Sequence, residues 1–167
     1  MTKKLDQFEV DRLIAAIEAS FGDVRLGNGR SLHQAEAIDQ GRPANEIEAA
    51  RAWDGEIRWQ EIPDEKIDHF CSALAFMDAE GFRFHVPRFI VWSLVHAEQS
   101  DSFAVDAAIY SCVFTPKLEE KSKQRYSLLN AGQRSTISAF LRFASMYDHF
   151  DASAAAEALQ RYWWQFE

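Results

Sequence analysis

The sequence predicts an all-α fold, in a single compact domain of about seven helices that spans residues 1–167. Each long apolar pattern repeats at spacings of three and four residues, which is the period of an amphipathic helix. Residues typical of helix N-caps precede these patterns at Asp6, Ser31, Asn130 and Asp151. A hydrophobic content of 47%, with 13 Phe and 5 Trp, is enough for a buried core without disulfides.

The first three helices are predicted from their caps and stops. Asp6 begins a helix that ends at Gly22, because glycine is a frequent helix terminator. Ser31 begins a short second helix that Gly41 ends. Pro43 suits the first turn of a third helix, where its missing N–H costs nothing.

The centre of the chain is predicted to contain two helices joined by an extended bridge. Pro63 begins a helix, with Gly81 as its C-terminal stop. Residues 82–86 alternate apolar and polar side chains, which is typical of extended backbone. Pro87 then begins a helix that is apolar almost all round, and such a helix belongs in the middle of a core.

The last third of the chain is predicted to contain three helices. An apolar stripe over 103–114 forms the first, and Asn130 and Asp151 begin the other two. Residues 117–129 are a long polar connection, where we expect the chain to be most mobile. The predicted core draws on several of the helices: Phe70, Leu74, Ile90, Leu94, Ile137, Phe140 and Leu141.

The charge of the chain restricts its partners. Eighteen basic and 26 acidic residues give a formal net charge of −8. A phosphate backbone or an anionic lipid surface is disfavoured by this charge, so we expect neither nucleic acid nor membrane as a partner. A basic protein partner is favoured by it. Whether the chain also associates with itself is left open by the sequence.

The sequence also predicts a cytoplasmic location. Acidic residues follow the first lysines at once, so we expect no signal peptide. No apolar run approaches the roughly 20 residues needed to cross a bilayer. Cys71 and Cys112 are isolated within apolar helical patterns, which is typical of buried free thiols in a reducing compartment.

The strongest candidate for a site is the block at residues 78–87. In an extended bridge Arg83 and His85 would point to the same side, close to the carboxylates of Asp78 and Glu80. Two interpretations follow. Arg83 and His85 pair with those carboxylates for structural reasons, or they form the floor of a cleft that binds an anionic group.

A second cluster consists of His33, Glu36 and Asp39, spaced three residues apart. These side chains are potential metal ligands, but the spacing reverses the Glu-x-x-His arrangement of di-iron bundles, and the HExxH zinc pattern is absent. We therefore expect no metal and no other cofactor. Hydrogen bonding between His33 and Glu36 is the structural alternative.

Three blocks of this sequence carry a resemblance to a known family. They are Leu26-Gly27-Asn28-Gly29 with Leu32-His33-Gln34-Ala35-Glu36-Ala37, then residues 78–87, and Leu128-Leu129-Asn130 with Gln133 and Phe140-Leu141. On these blocks the chain resembles a family of small bacterial proteins known only as a domain of unknown function. Members typically carry a small residue where Arg88 stands here. The resemblance implies no catalytic residue.

Taken together, these patterns predict a cytoplasmic protein-binding module, such as an immunity or inhibitor protein that neutralises a basic toxin or effector domain. Acidic side chains would carry the contact, with one exposed tryptophan as an aromatic anchor. The predicted contact residues are Glu36, Asp39, Asp78, Glu80 and either Trp163 or Trp164.

Two other functions remain open at this stage. The first is a small enzyme in which His33, Glu36, Arg83 and His85 share a helical cleft and perform general acid–base chemistry. The second is a structural subunit of a larger assembly, anchored through the surface at residues 162–164.

Overall fold

The computed structural model describes residues 3–167 as helices with short connections. The nine α-helices of this part of the chain are α1 (Gln7–Phe21), α2 (Leu32–Asp39), α3 (Ala44–Ala50), α4 (Asp64–His69), α5 (Ala79–His96), α6 (Ala104–Cys112), α7 (Glu119–Tyr126), α8 (Ala131–Ala144) and α9 (Ala152–Arg161). Five 3-10 segments accompany them: Arg51–Trp53, Trp59–Glu61, Ala73–Phe76, Pro116–Leu118 and Trp163–Phe166. Residues 3–167 contain no β-strand, so the all-α prediction is confirmed, with nine helices instead of about seven.

The predicted N-caps begin α1, α2, α8 and α9. Asp6 accepts hydrogen bonds from the first turn of α1. The side chain of Asn130 accepts one from the backbone N–H of Gln133 at 2.9 Å, and that of Asp151 accepts one from Ala154 at 2.9 Å. Each bond satisfies a donor that the helix itself leaves unpaired, which is why these polar residues fix where the helices start.

The predicted polar connection at residues 117–129 contains α7, so describing it as a connection was wrong. Only Ser122 and Tyr126 of this helix are buried, so its sequence shows no apolar stripe. Charge stabilises it instead. Acidic residues occupy its first turn and basic residues its last, and Lys123 pairs with Glu119 one turn away at 2.6 Å.

The predicted helix from Pro63 to Gly81 is two separate elements. Helix α4 ends at His69, and the 3-10 segment Ala73–Phe76 follows it. A new helix, α5, then begins at the N-cap Asp78 and continues straight through Pro87. The extended bridge at 82–86 was therefore a wrong prediction, because those residues form the first turns of α5.

Helix α5 is the centre of the fold. It packs against α1, α4, α6 and α7, and eleven of its eighteen residues are buried. Phe82, Phe84 and Val86, which an extended bridge would place on one side of the chain, are all buried because α5 has neighbours on nearly every side. A helix enclosed in this way needs no polar stripe.

The C-terminal helices close the core around α8, which packs against α1 and α9. Backbone carbonyls at the ends of α6 are satisfied by buried aromatic side chains. Tyr126 donates its hydroxyl to the carbonyl of Ser111 at 2.6 Å, and Trp163 donates its indole N–H to that of Cys112 at 3.0 Å. These bonds hold α7 and the C-terminal segment against α6.

The predicted core is confirmed, since its seven residues are all at most 5% exposed. Cys71 and Cys112 are free thiols; Cys112 is fully enclosed, and burial raises its pKa to about 12. Within residues 3–167, none of the helices combines the length and the apolar character that a membrane span requires.

Leu94 and Val95 provide a matched test of the core. Leu94 is 3% exposed and Val95 is 54% exposed, although they are neighbours on α5. We expect Leu94→Ala to lower the free energy of unfolding by about 2 to 5 kcal/mol, since it leaves a cavity, and Val95→Ala to change it by less than about 1 kcal/mol. Urea unfolding measures both. Equal effects of the two substitutions would contradict the assigned packing of α5.

Candidate functional site

Arg83 and His85 do not face the same side of the chain. Two residues apart on a helix, they are separated by about 200° around its axis. Arg83 donates from Nη1 to the carbonyl of Leu128 at 3.4 Å, whereas the His85 ring lies inside the core. Neither pairs with Asp78 or Glu80. Both interpretations of this block, a carboxylate pairing and a shared cleft floor, therefore fail on geometry.

The Asp78 carboxylate joins the N-terminus of α5 to the turn at residues 22–31, and Glu80 packs against the same turn. Oδ1 of Asp78 accepts hydrogen bonds from the backbone N–H groups of Gly81 at 2.9 Å and Arg30 at 3.0 Å. Glu80 lies very close to Gly29. A Cβ added to this glycine would be 2.7 Å from the Cβ of Glu80. Asp78 is thus part of the framework, whereas for Glu80 only the backbone and Cβ are held against the turn.

His85 is a buried neutral histidine. Its Nδ1 lies 2.7 Å from the carbonyl oxygen of Gly81, which only accepts hydrogen bonds, so Nδ1 carries the proton. Burial lowers the pKa of His85 from 6.5 to about 4. The ring edge contacts Phe84, with centroids 4.9 Å apart. This histidine fills space and satisfies a helix carbonyl.

His33 belongs to a cluster of charged side chains centred on Asp54. One oxygen of Asp54 accepts from the backbone N–H of His33 and the other lies 2.8 Å from Nδ1 of its ring. Lys66 reaches the same carboxylate at 2.9 Å and Glu56 at 2.6 Å. The cluster ties α2 and α4 to the connection between α3 and α4.

The Asp54 carboxylate is held ionised. Burial raises its pKa, but hydrogen bonds from several groups, Lys66 and His33 among them, outweigh this and lower the pKa from 3.8 to about 2. Only 5% of the Asp54 side chain is exposed. The positive charge of Lys66 is therefore paired with carboxylates inside the cluster. Within residues 3–167, no group of three or more His, Cys, Asp and Glu is arranged to hold a metal ion.

Glu36 and Asp39 lie on the outer side of α2. Glu36 contacts His69 of α4 at 3.2 Å, and His33 contacts Asp54. These two contacts replace the predicted bond between His33 and Glu36. Asp39 is exposed. Of the four residues proposed for an enzyme, only His33 and Glu36 line a common hollow, and Arg83 and His85 line neither of the hollows beside them.

The two predicted anchor tryptophans differ completely in exposure. Trp163 is fully buried, and its indole N–H is already bonded, so it was wrongly named as a surface anchor. Trp164 is 62% exposed. Trp53 is 73% exposed, and Ile57 nearby in the chain is 70% exposed.

Negative charge is concentrated in residues 36–68, which we call the acidic region. It contains ten acidic and four basic residues, a net charge of −6, whereas the rest of the chain has sixteen acidic and fourteen basic residues, a net charge of −2. Two of its four cations are engaged inside the fold. Arg51 donates to the carbonyls of Gly27 and Gly29, and Lys66 belongs to the Asp54 cluster. The acids that remain exposed are Asp39, Glu46, Glu48, Glu61, Asp64, Glu65 and Asp68.

The exposed indole of Trp53 forms one wall of a shallow hollow of about 280 Å³ in the acidic region. Glu36 and Glu46 contribute carboxylates to the same hollow. The ring of His33 lies 6.2 Å from that of Trp53. Arg42 also lines it and pairs with Glu46 at 3.7 Å. An aromatic face flanked by carboxylates is an environment that attracts a cationic side chain.

The neutral state of His85 predicts a specific pH dependence. Since the unfolded chain binds a proton below pH 6.5 and the folded chain only near pH 4, stability is complete above 6.5 and falls as the pH drops through this window. We expect a loss on the order of 3 kcal/mol between pH 7 and pH 4. Urea unfolding at stepped pH measures it, with His85→Gln as the comparison. The same slope in both proteins would contradict a buried neutral His85.

The Asp54 cluster predicts a second, separate effect. Asp54→Ala leaves the His33 amide without its acceptor and removes one of the two carboxylates that Lys66 contacts, so we expect it to cost about 2 to 4 kcal/mol at neutral pH. The Asp54 contribution is present above pH 3.8 and disappears as the pH falls towards 2. Glu46→Ala, which removes an exposed ion pair, is the control and should cost less than about 0.5 kcal/mol. Thermal and urea unfolding measure the stability of both variants. A loss for Asp54→Ala no larger than that for Glu46→Ala would show that the cluster does not stabilise the fold.

Comparison with known proteins places the chain in a family. No curated protein and no solved structure matches this sequence. The profile of DUF6714, described as a family of unknown function, matches residues 9–167, which is nearly the entire chain. The predicted resemblance to a domain of unknown function is confirmed at that level. The chain therefore belongs to the DUF6714 family.

Proposed function

We propose that this protein is a protein-binding module that recognises a basic partner through its acidic region. The concentration of charge carries the proposal: residues 36–68 hold a net charge of −6 out of −8, and Arg51 and Lys66 within them are engaged in internal contacts. A localised field of this kind attracts a basic surface and orients it during approach.

Trp53 is the anchor in this proposal. Protein interfaces gain most of their energy from a few residues, with tryptophan among the commonest, when they lie at the centre of the contact. Trp53 is exposed, stands beside Glu36 and Glu46, and offers its ring to an incoming lysine or arginine. Asp39 on α2 and Glu48 on α3 are exposed and add to the negative charge of the region.

The partner is a basic toxin or effector domain in this proposal, and the protein is its inhibitor or immunity protein. A domain that acts on nucleic acid or another polyanion presents a basic surface to its substrate. An acidic module that occupies that surface would exclude the substrate. Asp78 and Trp163 drop out of the contact set, because hydrogen bonds within the fold use their side chains, and Glu80 is left out because it lies at the start of α5, outside the acidic region.

We expect Trp53→Ala to weaken partner binding by about 2 kcal/mol or more, which is roughly a 30-fold rise in Kd. The probe is each basic protein encoded beside this chain's gene, purified and measured by biolayer interferometry. Glu36→Gln with Glu46→Gln should slow association and flatten its dependence on salt, with a smaller change in dissociation.

Two variants far from the acidic region serve as controls. Trp164→Ala removes an exposed tryptophan of similar size, and Glu157→Gln removes an exposed carboxylate on α9. Neither should change binding. If no neighbouring gene product binds, or if Trp164→Ala abolishes binding while Trp53→Ala does not, the proposed interface is wrong.

A further inference from the structure

A groove of different chemistry lies beside the hollow that Glu36 and Asp39 line, and Ser72 and Phe76 belong to both. It lies between the 3-10 segment Ala73–Phe76, α6 and α7, and it encloses about 710 Å³. That volume is within the range of small-molecule sites, roughly 300 to 1,000 Å³. Its walls are mostly apolar: Leu74, Phe76, Phe103, Ala107, Val113 and Leu118.

The rim of the groove exposes large hydrophobic side chains. Phe103 is 81% exposed, Leu118 is 54% exposed and Tyr110 is 51% exposed. All three line the same cavity. Single exposed hydrophobic residues are ordinary on a protein surface, but several that converge on one concave site mark a place where an apolar ligand is buried.

Positive charge is confined to one wall of the groove. Lys121 and Arg125 of α7 line it, and no aspartate or glutamate does. Within residues 3–167 no carboxylate pairs with either of these two cations, in contrast to Lys123 on the same helix, which pairs with Glu119 at 2.6 Å. In a chain of net charge −8, a cavity wall with two cations and, among the described residues, no carboxylate differs from the acidic region.

Arg125 retains hydrogen-bonding capacity at this wall. Its Nη2 donates to the carbonyl of Ala75 at 2.8 Å, which fixes the guanidinium at the groove. Its Nε is shielded from solvent and has no partner in the described part of the chain. A buried donor without an acceptor is unfavourable, so the guanidinium beside the groove keeps hydrogen-bonding capacity that the fold does not use.

We infer that the groove binds a small amphipathic anion: an apolar chain held against Leu74, Phe103 and Ala107, with a single carboxylate placed at Lys121 and Arg125. The apolar walls favour the chain, and the two cations select the charge of its head group. This inference is independent of the acidic region, which has the opposite charge.

Dodecanoate is the probe, and dodecan-1-ol of the same chain length is its neutral counterpart. Both are titrated below micelle-forming concentration by calorimetry and by chemical-shift mapping. We expect dodecanoate to bind at one site at least tenfold more tightly than the alcohol, with shifts at α6 and α7. Equal binding of the two probes, or shifts elsewhere, would overturn the inference.

The charge selection is tested with variants of α7. Lys121→Gln and Arg125→Gln should each weaken dodecanoate binding at least fivefold and leave the alcohol unchanged. Lys123→Gln is the matched control, because this lysine pairs with Glu119 and does not line the groove. Dodecanoate binding that is lowered equally by all three variants would indicate a general charge effect and contradict the site.

The apolar part is tested by filling the groove. Ala107→Phe should abolish binding of both probes, and circular dichroism shows whether it remains folded. If Ala107→Phe does not fold, Ala75→Trp, at an exposed position of the groove wall, is used in its place. If dodecanoate fails to saturate, or if filling the groove blocks the protein partner and leaves dodecanoate binding intact, the groove is not a site for this ligand.

Discussion

The enclosure of α5 is the constraint on which the rest of the structure depends. This eighteen-residue helix has one exposed residue, Val95, so other helices must cover it on nearly every side. Enclosure explains why Pro87 is tolerated inside it, since packing contributes more than one lost backbone hydrogen bond costs. It also explains why His85 is neutral and bonded within its own helix. Asp78 and His85, which the sequence suggested as site residues, are hydrogen-bonded within α5 or at its N-terminus.

In the proposed function, recognition belongs to the periphery of the molecule. The acidic region is built on short helices and 3-10 turns, held in place by the Asp54 cluster. Because this cluster and the carbonyls of Gly27 and Gly29 engage Lys66 and Arg51, the surface outside them keeps an excess of carboxylates. The groove beside α7 has the opposite character, with apolar walls and two cations. One small domain thus presents two surfaces suited to chemically different ligands.

Sequence reasoning predicted the helical class, the caps and the core, because these follow from local periodicity and local hydrogen bonds. It missed α7, whose stability comes from charges and from only two buried residues. It placed the start of α5 at Pro87, since an enclosed helix shows no polar stripe from which its length can be read. It could not pair His33 with Asp54 across 21 residues, nor tell buried Trp163 from exposed Trp164, since both depend on tertiary packing. No local pattern indicated that Asp54 is the centre of a cluster, although the excess of acidic residues around it can be counted from the sequence.

Hydrogen exchange of the chain, alone and bound to its basic partner, is the most direct test of this division between a structural centre and a peripheral recognition surface. The account predicts that partner binding slows exchange of amides in residues 36–68, with its largest effect next to Trp53. It also predicts that α5 exchanges most slowly in both states, because its amides open only when the domain unfolds. Protection that appears instead at the first turns of α5 or at residues 162–166, with residues 36–68 unchanged, would contradict the account.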